Sequence, residues 1–240
     1  MGYWKPTYYS QPTKEEIQAK AEKTKEKARK KGIVYDPVII EGRAICTSWW
    51  GISWCNNLER YADYASRIDR GKRYVRNGSV IDLQISRGKV TARVQGSRRA
   101  PYKVEIRISP LSEEKCQKIM DRCGRKLESL EALLSGNFPE DMKDLFFEEG
   151  GLFPTPAEIS LNCSCPDWAL MCKHVAAVLY GIGTRFDRNP LLFFELRGLD
   201  VNRFIDVTIQ NRVEEMLEHA DSRTSRMMDS EDLTAIFGIL

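Results

Sequence analysis

Residues 162–183 read NCSCPDWALMCKHVAAVLYGIG and gather three of the chain's seven cysteines and one of its two histidines within twelve positions. On extended backbone, positions two apart face the same side, so Cys163 and Cys165 can offer two sulfurs to one ion. Pro166 ends that strand, and a six-residue loop lets the chain reverse before Cys172 and His174 supply the other half of a tetrahedron. Three thiolates and one imidazole make a closed structural zinc set, with no position left for water. Val175, Ala176, Val178, Leu179 and Ile182 then recur at helical spacing, so the last two ligands open a helix whose N-terminal dipole favours thiolate charge. Lys173, between two ligands, is placed to offset the negative charge that three thiolates leave on zinc. The competing readings are four unrelated core or surface residues and, behind that, a Cys-His nucleophile pair, which lacks a third, orienting group. The expectation is one structural Zn2+ held by Cys163, Cys165, Cys172 and His174, and no catalytic residue.

The pattern Cys-x-Cys, loop, Cys-x-His resembles the SWIM zinc finger, and CSCPDWALMCKHVAAVLY is very similar to its bacterial form. The segments WWGISWCNNLERYADYASRIDRGKRYVRNGSV and VTARVQGSRRAPYKVEI, with the terminal DLTAIFGI, are similar to the stand-alone bacterial SWIM proteins. The resemblance implies a zinc-binding module for DNA or protein partners. Because those proteins are associated with a SWI/SNF-type helicase-like ATPase, it also implies a partner of that kind.

Composition sets the frame around this site. The chain is 42% hydrophobic over 240 residues, enough for one good core or two smaller ones. No apolar run approaches the ~18 residues of a membrane span, and the N-terminus MGYWKPTYYSQPTKEE has no apolar signal region. A soluble cytoplasmic protein without membrane contact is expected, in which reduced cysteines favour metal binding over disulfides. The net charge of +3 hides an asymmetry: residues 60–107 carry thirteen Lys/Arg against four Asp/Glu, and residues 108–240 carry fourteen against twenty-three. A basic front suits a polyanion, and an acidic back suits a protein contact or the chain's own basic half.

Along the chain, Thr13 and Glu16 form a capping box for a polar helix ending at Gly32, with almost no apolar face. It reads as a solvated arm or a basic arm on nucleic acid. IVYDPVII (33–40) reads as extended chain that Pro37 confines to an edge. Thr47 or Ser48 caps the next helix, whose stripe of Trp50, Trp54, Leu58, Tyr61, Ala65 and Ile68 marks a core face, with Gly71 as its stop. Around that stop Arg67, Arg70, Lys72, Arg73 and Arg76 surround Tyr74, a composition suited to phosphate contact and base stacking. Their alternative is a solvated loop paired with acids of the C-terminal half. Three alternating strands follow around Val80–Ile85, Val90–Val94 and Val104–Ile108, an antiparallel meander with one wet face. On it Arg93, Lys103 and Arg107, with Arg98 and Arg99 at the turn, offer a second basic surface.

Ser112 starts a helix carrying Cys116 and Cys123 on one face, which read as core. A second zinc site joining these two to Cys46 and Cys55 is the alternative, and it has no ligand-pair spacing. Two short helices lead through Gly150-Gly151 to Ile159 and Leu161, the strand that delivers the first ligands. Trp168, in the ligand loop, is expected to shield the metal rather than face a partner, because buried surroundings stabilise metal sites. Asn189-Pro190 and Asp200 open two further helices. A polar tether then carries Leu233, Ile236 and Phe237, an apolar peptide suited to folding back or to docking in a partner's groove.

The expected fold is α+β: an N-terminal helix with a small antiparallel sheet, a helical linker, a strand–loop–helix finger and a helical C-terminal tail. The corresponding segments are 1–32, 33–110, 111–150, 151–187 and 188–240. A phosphate loop, a His-Glu-x-x-His motif and a spaced nucleophile–base pair are all absent from the sequence. The expected function is that of a non-catalytic zinc-binding accessory protein for DNA or RNA, for a protein partner, or for both. Its alternative is a pure protein adaptor.

Overall fold

Strand alternation between residues 80 and 108 builds three of the four strands of the sheet that the central helix crosses. The computed structural model describes residues 12–126, 143–148 and 150–218. Within them the chain runs α1 (Lys14–Arg29), α2 (Trp49–Glu59), α3 (Ala65–Arg76), β1 (Val80–Ser86), β2 (Lys89–Val94), β3 (Tyr102–Ile108), α4 (Glu113–Lys126) and α5 (Lys143–Phe147). A 3-10 turn (Pro156–Glu158), β4 (Ile159–Cys163), α6 (Lys173–Arg188), α7 (Leu191–Leu196) and α8 (Val201–Glu218) follow. The fold is α+β, as the pattern predicts.

The sheet is antiparallel with order β1-β2-β3-β4. Arg87-Gly88 turns β1 into β2, with Gly88 at φ +67°. Leu83, Val90, Ala92, Val94, Val104, Ile106 and Ile108 are buried on one face. A bulge between Val80 and Asp82 lets Val80 and Leu83, three positions apart, both be buried. The sequence puts β4 in a finger segment of its own, whereas its backbone pairs with β3, matching Val104 to Cys163 and Ile108 to Ile159. A fifty-residue excursion separates these partners, and local pattern does not carry so distant a pairing.

The finger helix α6 lies across the inner face, with twelve of its sixteen residues buried. On its other side it takes α2 and α3. Gly71 permits the closest approach, since a Cβ there would stand 2.5 Å from the Ala176 Cβ. Trp54 is fully buried, donates its indole N–H to the Leu179 carbonyl at 3.0 Å and meets Phe186 and Phe193 edge-on. Asp187, at the other end of α6, accepts from Thr47 and from Ser48, the residue that caps α2. The core reading of Cys116 holds, at 4% exposure.

Two expectations change. The stripe 50–68 is not one helix: α2 ends at Glu59 and α3 restarts at Ala65, so the basic stretch is helix rather than loop and Gly71 is a packing site, not a stop. The arm is docked along one face rather than free. Ile17, Ala21 and Ala28 of α1 are buried, Lys20 donates to the Ser97 carbonyl at 2.9 Å and Thr24 to Gln95 Oε1 at 3.0 Å. Residues 33–40 keep to an edge as Pro37 predicts: Val38 N–H donates to the Val80 carbonyl and Leu83 N–H to the Asp36 carbonyl along the outer side of β1, without a regular strand forming. Tyr3, Trp4, Tyr8, Tyr9, the helix expected around 127–136 and the tail residues Leu233, Ile236 and Phe237 lie outside the described residues. Among the described residues, no helix is long and apolar enough to cross a membrane.

Candidate metal centre

Because β4 is hydrogen-bonded to β3, the first two ligands are delivered by a fixed sheet edge. Cys163 is the last residue of β4. Beyond it Ser164 N–H donates to the Lys103 carbonyl, and Lys103 N–H donates to Ser164 Oγ, both at 2.9 Å. The ligand loop is held from outside: Arg67 pairs with Asp167 at 3.2 Å, and Leu170 N–H donates to Asp63 at 2.7 Å. Cys172 is the N-cap of α6, and His174 follows in its first turn.

The four ligand atoms of Cys163, Cys165, Cys172 and His174 lie within 4.8 Å of one another, and His174 Nδ1 is 3.9 Å from the sulfurs of Cys163 and Cys172. A tetrahedron with metal–sulfur arms of ~2.3 Å has edges of about 3.8 Å, so the set is close to ligating geometry. Protons are already unevenly distributed. The hydrogen bond with Cys163 holds the Cys172 thiol well below its ordinary value, helped by His174 and the Val175 N–H. The same contact with Cys172, together with burial, pushes Cys163 up, and burial pushes Cys165 up.

The imidazole is pinned by rings. Tyr102 stacks on it at 4.1 Å and Tyr74 meets it edge-on at 5.4 Å. Gly96 closes the third side: a Cβ there would stand 2.7 Å from the Tyr102 ring and 3.3 Å from His174 Nε2. Nε2 is buried and makes no hydrogen bond, which leaves Nδ1 as the nitrogen turned to the sulfurs. Neither Tyr102 nor Gly96 is legible as a site residue from sequence, since both reach the histidine only through the fold.

Trp168 does not shield this cluster. It is 80% exposed and meets Tyr64 edge-on at 5.9 Å, with Leu170 beside it in sequence 73% exposed. Its place over the cluster is taken by the two tyrosines. Lys173 reaches back over the Tyr74 ring at 5.6 Å.

The basic candidates separate into groups. Arg67 pairs with Asp167, Lys72 with Glu59 at 2.9 Å and Arg93 with Asp82 at 3.6 Å, while Arg98 stands over the Tyr102 ring. Arg93 and Lys103 line a groove on the wet sheet face together with Asp82 and Glu105, so that face is mixed in charge. Arg70, Arg73 and Tyr74 face a different cleft, with Lys14 and Lys173. Among the described residues Arg70, Arg73, Arg76, Arg99 and Lys103 have no carboxylate within ion-pair distance. Burial raises the Tyr74 phenol, against the pull of Arg70 and Arg73.

A second sulfur pair was not anticipated: Cys46 and Cys55, both buried, have their sulfurs 3.5 Å apart beside Gly183. They lie nine positions apart and no spacing rule joins them. Among the described residues only the finger set brings together three or more metal-ligating groups.

The chain is 40% identical over 157 residues to the uncharacterized protein Rv2102 of Mycobacterium tuberculosis, a match that covers 65% of this chain and 56% of that protein. The match thus spans a little over half the length of that relative. No solved structure matches the chain. Residues 152–181 match the SWIM zinc finger family and contain all four ligands, so the chain carries a SWIM zinc finger whose cluster fits one structural zinc ion.

Proposed function

We propose that this chain is a non-catalytic, cytoplasmic accessory protein in which zinc fixes the finger and the adjoining basic surface holds nucleic acid, DNA or RNA. The observation that carries the reading is the sorting of charge on α3. Arg67 and Lys72 are neutralised by Asp167 and Glu59, while Arg70, Arg73 and Arg76 of the same helix keep their charge for solvent or a ligand. Cations left unpaired on one face beside a rigid metal site suit a polyanion. A closed four-ligand set gives zinc no open position for hydrolysis, which agrees with a binding role.

A second surface supports a protein partner, for which a SWI/SNF-type ATPase is our choice. Trp168 and Leu170 project from the ligand loop and Tyr64 from the adjoining turn, and exposed aromatics of this kind anchor protein interfaces. If this surface alone is used, the chain is an adaptor.

Titration of the zinc-loaded chain against labelled single-stranded and duplex DNA over a range of salt separates the two. Nucleic-acid binding weakens log-linearly with salt, by roughly 0.7–0.9 in slope for each phosphate contact. Absence of binding at low salt removes the nucleic-acid reading. Loss of partner capture on Trp168→Ala or on truncation before Asp232, with indifference to DNA, identifies an adaptor.

A further inference from the structure

Lys14 in the first turn of α1, Arg70, Arg73 and Tyr74 of α3, Asn77 and Lys173 of α6 line a cleft of about 410 Å3 beside the zinc ligands. Four cations face it and no carboxylate lines it, unlike the groove on the sheet face, where Asp82 and Glu105 stand among the cations. Like charges gathered in a concave site raise its potential and favour an anion there. The aromatic ring in the cleft is already covered, since Lys173 stands over Tyr74 at 5.6 Å. What the cleft offers above all is charge for phosphate.

The same wall belongs to the metal centre. Lys173 lies between Cys172 and His174 in sequence, and the edge of Tyr74 meets the His174 ring at 5.4 Å. We infer that this cleft binds the phosphodiester backbone of a nucleic acid without reading its sequence, and that zinc, by fixing Lys173 and Tyr74, makes the two ligands strengthen each other. The inference rests on the nucleic-acid reading above. Linkage requires the effect to be reciprocal: the factor by which zinc loss weakens the oligonucleotide equals the factor by which the oligonucleotide raises zinc affinity.

The test uses the full zinc-loaded chain and labelled oligonucleotides of two unrelated sequences, each single-stranded and duplex. Arg70→Glu with Arg73→Glu is compared with Lys118→Glu with Arg122→Glu on α4, which makes the same change in net charge far from the cleft. Metal content is measured for each variant. The cleft variant is expected to keep its zinc, to bind at least about tenfold more weakly and to lose roughly 0.7–0.9 of salt slope per contact removed. The α4 variant should retain most of the affinity. Competition with a chelator should show zinc held several-fold more tightly when oligonucleotide is saturating. Failure of the unaltered chain to bind any oligonucleotide overturns the nucleic-acid reading itself. Binding that survives the cleft reversal overturns the cleft alone, and strong preference for one sequence overturns the backbone contact. An unchanged zinc affinity at saturation overturns the coupling.

Discussion

Two pairs of cysteine sulfurs lie close together in this molecule, and what surrounds them differs. Cys46 and Cys55 touch inside the α2–α6 core, where their mutual hydrogen bond and burial push the Cys55 thiol up, and the carboxylates of Glu59 and Asp187 push it further. Between Cys163 and Cys172 the shared hydrogen bond raises Cys163 and lowers Cys172, and His174 and the Val175 N–H at the start of α6 add to the lowering of Cys172. Proximity of sulfurs therefore does not make a metal site. What does is a polar end of a helix, a third and fourth ligand, and an environment that accepts negative charge.

The largest effect that could break this contrast is loss of one finger ligand. Cys165→Ser should bring zinc below one per chain and release at least the ligand loop between Cys163 and Cys172, whose shape the metal sets, while α6 keeps its packing on the sheet. A fully folded, metal-free variant, detected by elemental analysis and amide exchange, would contradict the structural role of zinc. The counterpart in the core, Cys55→Ala, should keep full zinc and cost only about 1–2 kcal/mol in denaturant unfolding.

Protons sharpen the same contrast. Cys163 and Cys165 lie above the ordinary thiol value in the metal-free set, so at neutral pH both hold protons that zinc must displace. Zinc affinity should then rise with pH and fall on acidification, roughly tenfold per unit for each displaced proton. Calorimetry in buffers of different ionisation enthalpy should count about two protons per zinc, whereas a count near zero would refute this ionisation pattern.

A smaller effect tests the packing around the ligands. Gly96→Ala drives a methyl into Tyr102 and His174 and should cost about 1–3 kcal/mol with faster zinc loss. Gly71→Ala should cost a similar amount by parting α3 from α6, with zinc loss slower than in Gly96→Ala because no ligand is touched. Equal effects on zinc from both glycines would mean that the metal senses the whole core rather than its own shell.

The finger was legible because its signals are local: two ligands at strand spacing, two at the start of a helix and a proline between. The three-strand meander was legible through alternation, and Asp200, which accepts from the N–H groups of Asn202 and Arg203, caps α8 as expected. Other features depend on distant partners. The break at residues 60–64 contains no Gly or Pro, and the Trp50–Ile68 stripe runs through it in helical phase. The buried face of α1 is built largely from alanines, which give no apolar stripe. The neutralisation of Arg67 by Asp167 spans one hundred residues, so the charge counted on α3 overstated what that helix keeps free.

The deep seating of α6 has a consequence for how this finger can be handled. A zinc unit whose helix turns one face to solvent can be cut out and fused elsewhere. Here both sides of the helix are claimed, by the sheet below and by α2 and α3 above, so a fragment of residues 151–187 would carry an unroofed oily rod with its metal. Such a fragment is a poor bait and a poor graft, and the zinc site travels only with the strands and helices that enclose it.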